Sequence, residues 1–283
     1  MNSTLKTFLL LGGLSVFLIL IGSFFGGTDG LYIAFFFSLL MNVGAYFFSD
    51  KIALASSGAK PVTEADAPEL YEMVRELSKK AGIPMPKLYM TPALQANAFA
   101  TGRDPQHASV AVTQGLMNIL DPLEVKAVLA HELGHVKNRD ILIATVAAVL
   151  ASTIAFFSRM GMYGGFGHSN DEDRPNLGGL SILLALLGPI AASVVQFAIS
   201  REREYGADAS GAHYMGGGRN LASALRKIHD SAHAAPMQIN PAFSSLYIGN
   251  PFGGYGGKLL NLFSTHPPVE ERIKRLSGRT VRH

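Results

Sequence analysis

Residues 131–135 read His-Glu-Leu-Gly-His. Positions four apart share one face of a helix, so both imidazoles can reach a single ion. Glu132 stands one step round, beside that ion rather than on it. From there a carboxylate can take a proton from an activated water and later pass it to a leaving amine. His131 and His135 are therefore candidate ligands of a hydrolytic zinc, and Glu132 is its candidate general base. Two imidazoles and a carboxylate with an open position favour zinc over other divalent ions.

A catalytic zinc takes three protein ligands and keeps a fourth position for water. The third ligand is sought on a second helix, and residues 200–208 read Ser-Arg-Glu-Arg-Glu-Tyr-Gly-Ala-Asp. Glu204 and Asp208 lie four apart on one face. Glu204 is the candidate ligand, and Asp208 the candidate acceptor for the second ring N–H of a ligand histidine. Glu202 competes with Glu204 but has no acid four residues on. A scattered set (Asp140, His213, His229, His233 and His266) stays open as an alternative, although none of its members repeats the helical pairing.

These residues need elements to hold them. Asp121-Pro122 is a helix start, with Asp at the N-cap and Pro in the first turn, and the helix is expected to run through Asn138. Thr63-Glu64-Ala65-Asp66 reads as a capping box opening a helix to about Lys80. Short strands are expected at Lys87–Thr91, Asn97–Thr101 and Ala108–Thr113. Later helices are expected at Arg201–Tyr214, from about Asn220 to the Ala234 region, and at Pro268–Leu276.

Charge is scarce, at 16% of residues, where soluble domains run nearer a quarter. Four apolar stretches contain none at all: Thr7–Thr28, Gly30–Ser49, Ile141–Ser158 and Leu177–Ser200. Each is long enough to cross a hydrocarbon core of about 30 Å, Ile141–Ser158 near the lower limit, and for the third and fourth a hydrophobic hairpin buried in a globular domain stays open as the alternative. This excludes an ordinary soluble enzyme, a disordered chain and a secreted disulfide scaffold; there is no cysteine. The first stretch is too long for a cleavable signal peptide, and a second follows at once. The loop between spans three and four carries Asp171, Glu172 and Asp173 against Arg159 and Arg174. Lys6, Lys51, Lys60, Lys137, Arg139, Arg201, Arg203 and a basic tail fall on the other side. Basic residues favour the cytoplasmic face, which places both termini and the soluble segments there. The net charge of +3 comes from that tail, which suits anionic headgroups better than nucleic acid. The expected architecture is α+β and mostly helical, with a small sheet and four transmembrane helices. It divides into two spans (1–50), a first soluble part with the HExxH helix (51–140), a membrane hairpin (141–200) and a second soluble part with the third ligand (201–283).

Two N-terminal spans, HELGHVKNRD entering a third, a fourth ending in SREREYGAD, and a late STHPP together resemble the HtpX family of membrane-bound zinc metalloproteases. The resemblance covers essentially the whole chain. It implies a gluzincin-type fold, one zinc per chain and a cytoplasm-facing site. It further implies endoproteolytic quality control of misfolded or damaged membrane proteins in a bacterial inner membrane, often under stress, with self-cleavage an expectation. His131 and His135 match the family's zinc histidines, Glu132 its general base, Glu204 its third ligand and Asp208 its orienting acid.

In similar proteases a histidine in a motif such as Ser264-Thr265-His266-Pro267-Pro268 lies near the site, where His266 could stabilise a tetrahedral oxyanion. Asn97, Ala98 and Phe99 could form an edge strand that pairs with substrate backbone, giving broad sequence tolerance. The Gly-rich loop 249–257 has no phosphate-cradle ending and reads as a linker or cleft wall. Two competing readings are a prenyl-protein CAAX endopeptidase, which uses more spans, and a non-catalytic scaffold with a structural zinc. The scaffold would close the fourth metal position and has no use for Glu132.

Overall fold

The structure, a computed structural model, describes residues 3–165, 194, 200–234, 241–249 and 267–278. Helix α1 (Ser3–Ser56) is two helices joined at Gly27, whose φ of 57° and ψ of −138° break the run. The two halves, Leu5–Phe24 and Gly26–Ser56, are each long and apolar enough to cross a membrane. They fold back on one another because glycine lines the turn. A Cβ on Gly22 would fall 2.4 Å from the Gly30 carbonyl oxygen, and one on Gly30 would fall 2.1 Å from that of Gly22. Small residues permit such backbone approach where no hydrophobic effect drives helices together. Further along, Asn42 Nδ2 donates to Ser15 Oγ at 2.8 Å and ties the pair. Phe24, Ile33, Phe36 and Leu40 project outward from α1, as a lipid-facing surface would.

The soluble part is a four-stranded mixed sheet under helices. Its strands are β1 (Lys60–Pro61), β2 (Lys87–Thr91), β3 (Ala98–Gly102) and β4 (Ala108–Thr113), in the order β1-β2-β4-β3. β2 and β4 are parallel, while β1 and β3 pair antiparallel with their neighbours. The helices are α2 (Pro68–Ala81), α3 (Gln114–Ile119), α4 (Pro122–Lys137), α5 (Ile141–Gly165), α6 (Arg201–Met215), α7 (Arg219–Ala234) and α8 (Val269–Gly278). Leu70, Val74 and Leu77 of α2, Val110 and Val112 of β4, Leu129 and Leu133 of α4, and Leu225 and Ile228 of α7 share one core.

One expectation changes and another is met in part. Thr63 and Asp66 do exchange hydrogen bonds, but they close a turn upstream of α2. The helix itself begins at Pro68 with no side-chain cap at Ala67, because the ring of Pro68 presets its φ and its missing N–H needs no partner. The membrane count is met in part: among the described residues two helices are long and apolar enough to cross a membrane on their own, or three if α4 and α5 form one bent span. The third apolar stretch is α5, which leaves α4 at an 89° bend. Its buried residues Ile143, Val146, Ala147, Leu150 and Ala151 pack in the cluster that holds Leu10, Leu11 and Leu14 of α1. Most of the fourth stretch lies outside the described residues.

Candidate active site

Asp121 caps α4 in a full capping box: its Oδ1 accepts from the Leu123 and Glu124 amides, and Glu124 Oε2 accepts from the Asp121 amide. From that start α4 runs buried through the core, carrying His131, Glu132 and His135. α6 lies against it at contact distance because two glycines remove side chains from the interface. A Cβ on Gly134 would sit 3.1 Å from Ser210 Cβ, and one on Gly211 would sit 3.0 Å from the His131 backbone nitrogen. This approach carries Glu204 of α6 to the histidines.

His131, His135 and Glu204 each offer a ligand atom, and the three atoms lie within 4.8 Å of one another. His131 Nε2 is 3.9 Å from Glu204 Oε2, and His135 Nε2 is 3.5 Å from Glu204 Oε1. Each imidazole presents its other nitrogen to a different carboxylate. His131 Nδ1 lies 2.9 Å from Asp208 Oδ1, and His135 Nδ1 lies 3.6 Å from Asp140 Oδ2. Both Nε2 atoms are thereby left for the centre, the orientation typical of metal-binding histidines.

Asp140 reaches His135 because α4 ends in a Schellman turn: the Asp140 amide donates to the His135 carbonyl and the Arg139 amide to that of Val136. Arg139 takes the left-handed position, with φ at 59°, where glycine is usual.

Glu132 is buried behind the triad. Its Oε1 has no hydrogen-bond partner among the described residues, and the residue lines one cavity with Ala100 of β3. Burial, with Glu204 nearby, raises its pKa to about 7, the range suited to proton transfer near neutral pH. Burial pulls the imidazole of His131 down to about 4. Burial also opposes charge on His135, but Asp140, Glu204 and Glu132 outweigh it and raise that group to about 9. Three carboxylates thus call for positive charge at His135, the charge that a cation at Nε2 would supply. The donor set, two neutral-capable imidazoles and one carboxylate, fits a zinc ion with an open fourth position.

Arg272 of α8 is the residue that sequence reasoning missed. It is wholly buried. Its Nε and NH2 donate to Asp208 Oδ2 and Oδ1 at 2.9 and 2.7 Å, and its NH1 donates to the Ile248 carbonyl at 3.0 Å. Burial alone would raise the Asp208 carboxyl; Arg272 and His131 outweigh it and hold it far below the ordinary carboxylate range. The signal was present in the sequence: Val269, Ile273 and Leu276 make an apolar stripe on α8, and Arg272 lies within it.

Asn97, Ala98 and Phe99 are buried. β3 is last in the sheet order, but its outer edge is partly taken: the Ile248 amide donates to the Ala98 carbonyl, and Asn97 Nδ2 donates to that of Gly249. Between these contacts and α5 a cavity of about 40 Å³ opens, lined by Ala100, His131, Glu132, Arg203, Glu204 and Tyr247. It has room for a few waters and none for a peptide. Glu202 and His213 are exposed and His229 is half-buried; none of the three joins the cluster. His266, the side chain of His233 and loop 250–257 lie outside the described residues.

A His-His-Glu cluster with a buried glutamate behind it, on a domain carrying an apolar helical hairpin, defines a membrane metalloprotease. The chain belongs to peptidase family M48, whose profile matches residues 64–280. It is 48% identical over 282 residues to the protease HtpX homolog of Pelotomaculum thermopropionicum, covering 99% of this chain and 100% of the relative. To the protease HtpX homolog of Syntrophobacter fumaroxidans it is 49% identical, covering 98% and 99%. A crystal structure of Ste24p from S. mikatae superposes with a TM-score of 0.52 at 22% identity, over 97% of this chain and 64% of that one. At that identity the likeness concerns the fold.

Proposed function

We propose that the chain is a zinc-dependent endopeptidase that cuts misfolded or damaged membrane proteins at the cytoplasmic membrane surface. The supporting observation is the geometry of the centre: three ligand atoms within 4.8 Å, both histidines backed by carboxylates, and Glu132 held beside them. His131, His135 and Glu204 would hold the zinc. Bound there, the ion would supply Lewis acidity toward a water and the scissile carbonyl.

The chain's own groups do the rest. Glu132 takes the proton of the attacking water and returns it to the leaving amine. Asp208 and Asp140 fix the imidazole orientations, and Arg272 fixes Asp208. His266 would lie near the developing oxyanion. Asn97, Ala98 and Phe99 would present main-chain groups to the substrate once segment 244–249 moves aside, since the cleft is too narrow for a peptide with that segment in place.

Four spans would anchor the chain in a bacterial inner membrane, with both termini cytoplasmic. The two α1 helices, the apolar α5 and the basic residues beside them support that topology. A site at the ends of membrane helices, rather than within them, meets segments emerging from the bilayer. The test is casein cleavage by detergent-purified protein, comparing wild type with Glu132→Gln at equal measured zinc. Cleavage by the wild type alone, lost on chelation and restored by zinc, is expected. Equal cleavage by both would overturn the role of Glu132.

A further inference from the structure

Away from the metal centre, a pocket of about 640 Å³ opens between the end of α1 and the sheet. Val43 and Phe47 form its lower wall and belong to the uncharged stretch that ends at Ser49. Asp50 and Lys51 follow at once, so the change from apolar to charged residues falls within the pocket, between its apolar floor and its polar rim. Lys51, Lys87 and Arg103 stand on that rim, and Asp50 is the one acid lining it among the described residues. Lys51 Nζ lies 5.4 Å from the centre of the Phe48 ring, and the Arg103 guanidinium 5.8 Å from that of Phe47. Arg103 shares Asp104, at 3.6 Å, with His107. Neither lysine has an ion-pair partner among the described residues.

An apolar recess at hydrocarbon depth is filled by acyl chain rather than water. Basic side chains gathered directly above it draw a phosphate that carries no compensating cation. A choline headgroup brings its own positive charge to that rim, and a glycerol headgroup does not. We propose that this pocket binds one anionic phospholipid, its phosphate among Lys51, Lys87 and Arg103 and one acyl chain along Val43 and Phe47. Such a lipid would bridge the membrane hairpin to β2 and the end of β3, the strand whose Ala100 lines the cavity beside Glu132. The proposal rests on α1 lying in the membrane and is independent of the metal chemistry.

The test uses the full chain in nanodiscs of equal phosphatidylglycerol and phosphatidylcholine, extracted into detergent and read by native mass spectrometry. The wild type should retain one phosphatidylglycerol per chain in preference to phosphatidylcholine. Removing a cation near an anionic headgroup weakens binding about five-fold. Lys87→Ala should therefore lower retention about five-fold and the Lys51→Ala/Lys87→Ala double variant about twenty-five-fold. Lys87→Arg should keep it, as should Lys79→Ala, which lies outside the pocket. Equal retention of the two lipids by the wild type would overturn the proposal, whether or not the variants fold. So would undiminished retention by the double variant. Complete displacement by excess inorganic phosphate would reassign the pocket to a free anion and overturn the lipid.

Discussion

Arg272 grips Asp208 through two parallel hydrogen bonds of 2.9 and 2.7 Å, and Asp208 in turn faces Nδ1 of His131 at 2.9 Å. The last helix thereby reaches the His-His-Glu cluster through Asp208, and Arg272 also lies 3.9 Å from Glu204 Oε2 directly. Removing one member of a buried ion pair strands the other and costs about 3–5 kcal/mol. Arg272→Met should destabilise the protein by about that amount in denaturant unfolding and weaken zinc retention. Arg272→Lys should recover little, because a point charge cannot reproduce the fork. The Arg272→Met/Asp208→Asn double variant should be more stable than the sum of the singles predicts. Additive losses would show that the pair is not the route by which Arg272 acts.

Asp140 offers a cleaner view of orientation, because Arg272 does not contact it. It faces His135 Nδ1 at 3.6 Å, and partners of this kind set metal affinity by about 10- to 100-fold. Asp140→Asn should lower zinc affinity within that range, measured by chelator competition, while the far-ultraviolet circular dichroism stays as in the wild type. Unchanged affinity would remove Asp140 from the centre.

The strands β2 and β4 fall where the sequence places them, as does the start of α4, because Asp121-Pro122 and short runs of strand-forming residues are local signals. The HExxH spacing and the Glu204/Asp208 pair also bring their residues to one place, since residues four apart stay together wherever a helix goes. The contribution of α8 was hidden for the opposite reason. Arg272 and Asp208 lie on different helices, and nothing local marks the pair except a charge inside an apolar stripe. Asp140 is legible in the sequence only as an alternative ligand; its place behind His135 depends on the left-handed Arg139 that turns it back. The start of α2 was misplaced because the Thr63–Asp66 pair has capping chemistry but closes a separate turn.

The α4–α6 contact yields opposite signs at three glycines. A methyl at Gly211 would press within 3.0 Å of His131 backbone, and one at Gly134 within 3.2 Å of Ala207 backbone, whereas one at Gly206 would meet nothing closer than 3.9 Å. Overpacking costs about 1–3 kcal/mol, and alanine in place of glycine in a helix returns about 1 kcal/mol. Gly211→Ala and Gly134→Ala should therefore lose stability or break even while weakening zinc binding, as α6 retreats with Glu204. Gly206→Ala should gain up to about 1 kcal/mol with zinc binding intact. Thermal unfolding and zinc titration on the three variants check this, and a stabilised Gly211→Ala of full zinc affinity would refute the tight contact.

Glu124 links the start of α4 to α7, accepting from Ser223 and from Lys227 at 2.7 and 2.6 Å. Burial alone would raise its carboxyl; Lys227, Ser223 and the Asp121 amide outweigh that and hold it below the ordinary value of 4.5. A group depressed in the folded state binds its proton more readily in the unfolded chain, so unfolding becomes easier as protons are added. The stability it contributes is present above the unfolded value and falls away as pH drops through the folded one. Denaturant unfolding of the wild type and Glu124→Gln should differ most at neutral pH and converge as the pH falls below the ordinary carboxyl value. A stability difference that stays constant over that range would mean that Glu124 holds the two helices by packing and capping geometry, with no contribution from its charge.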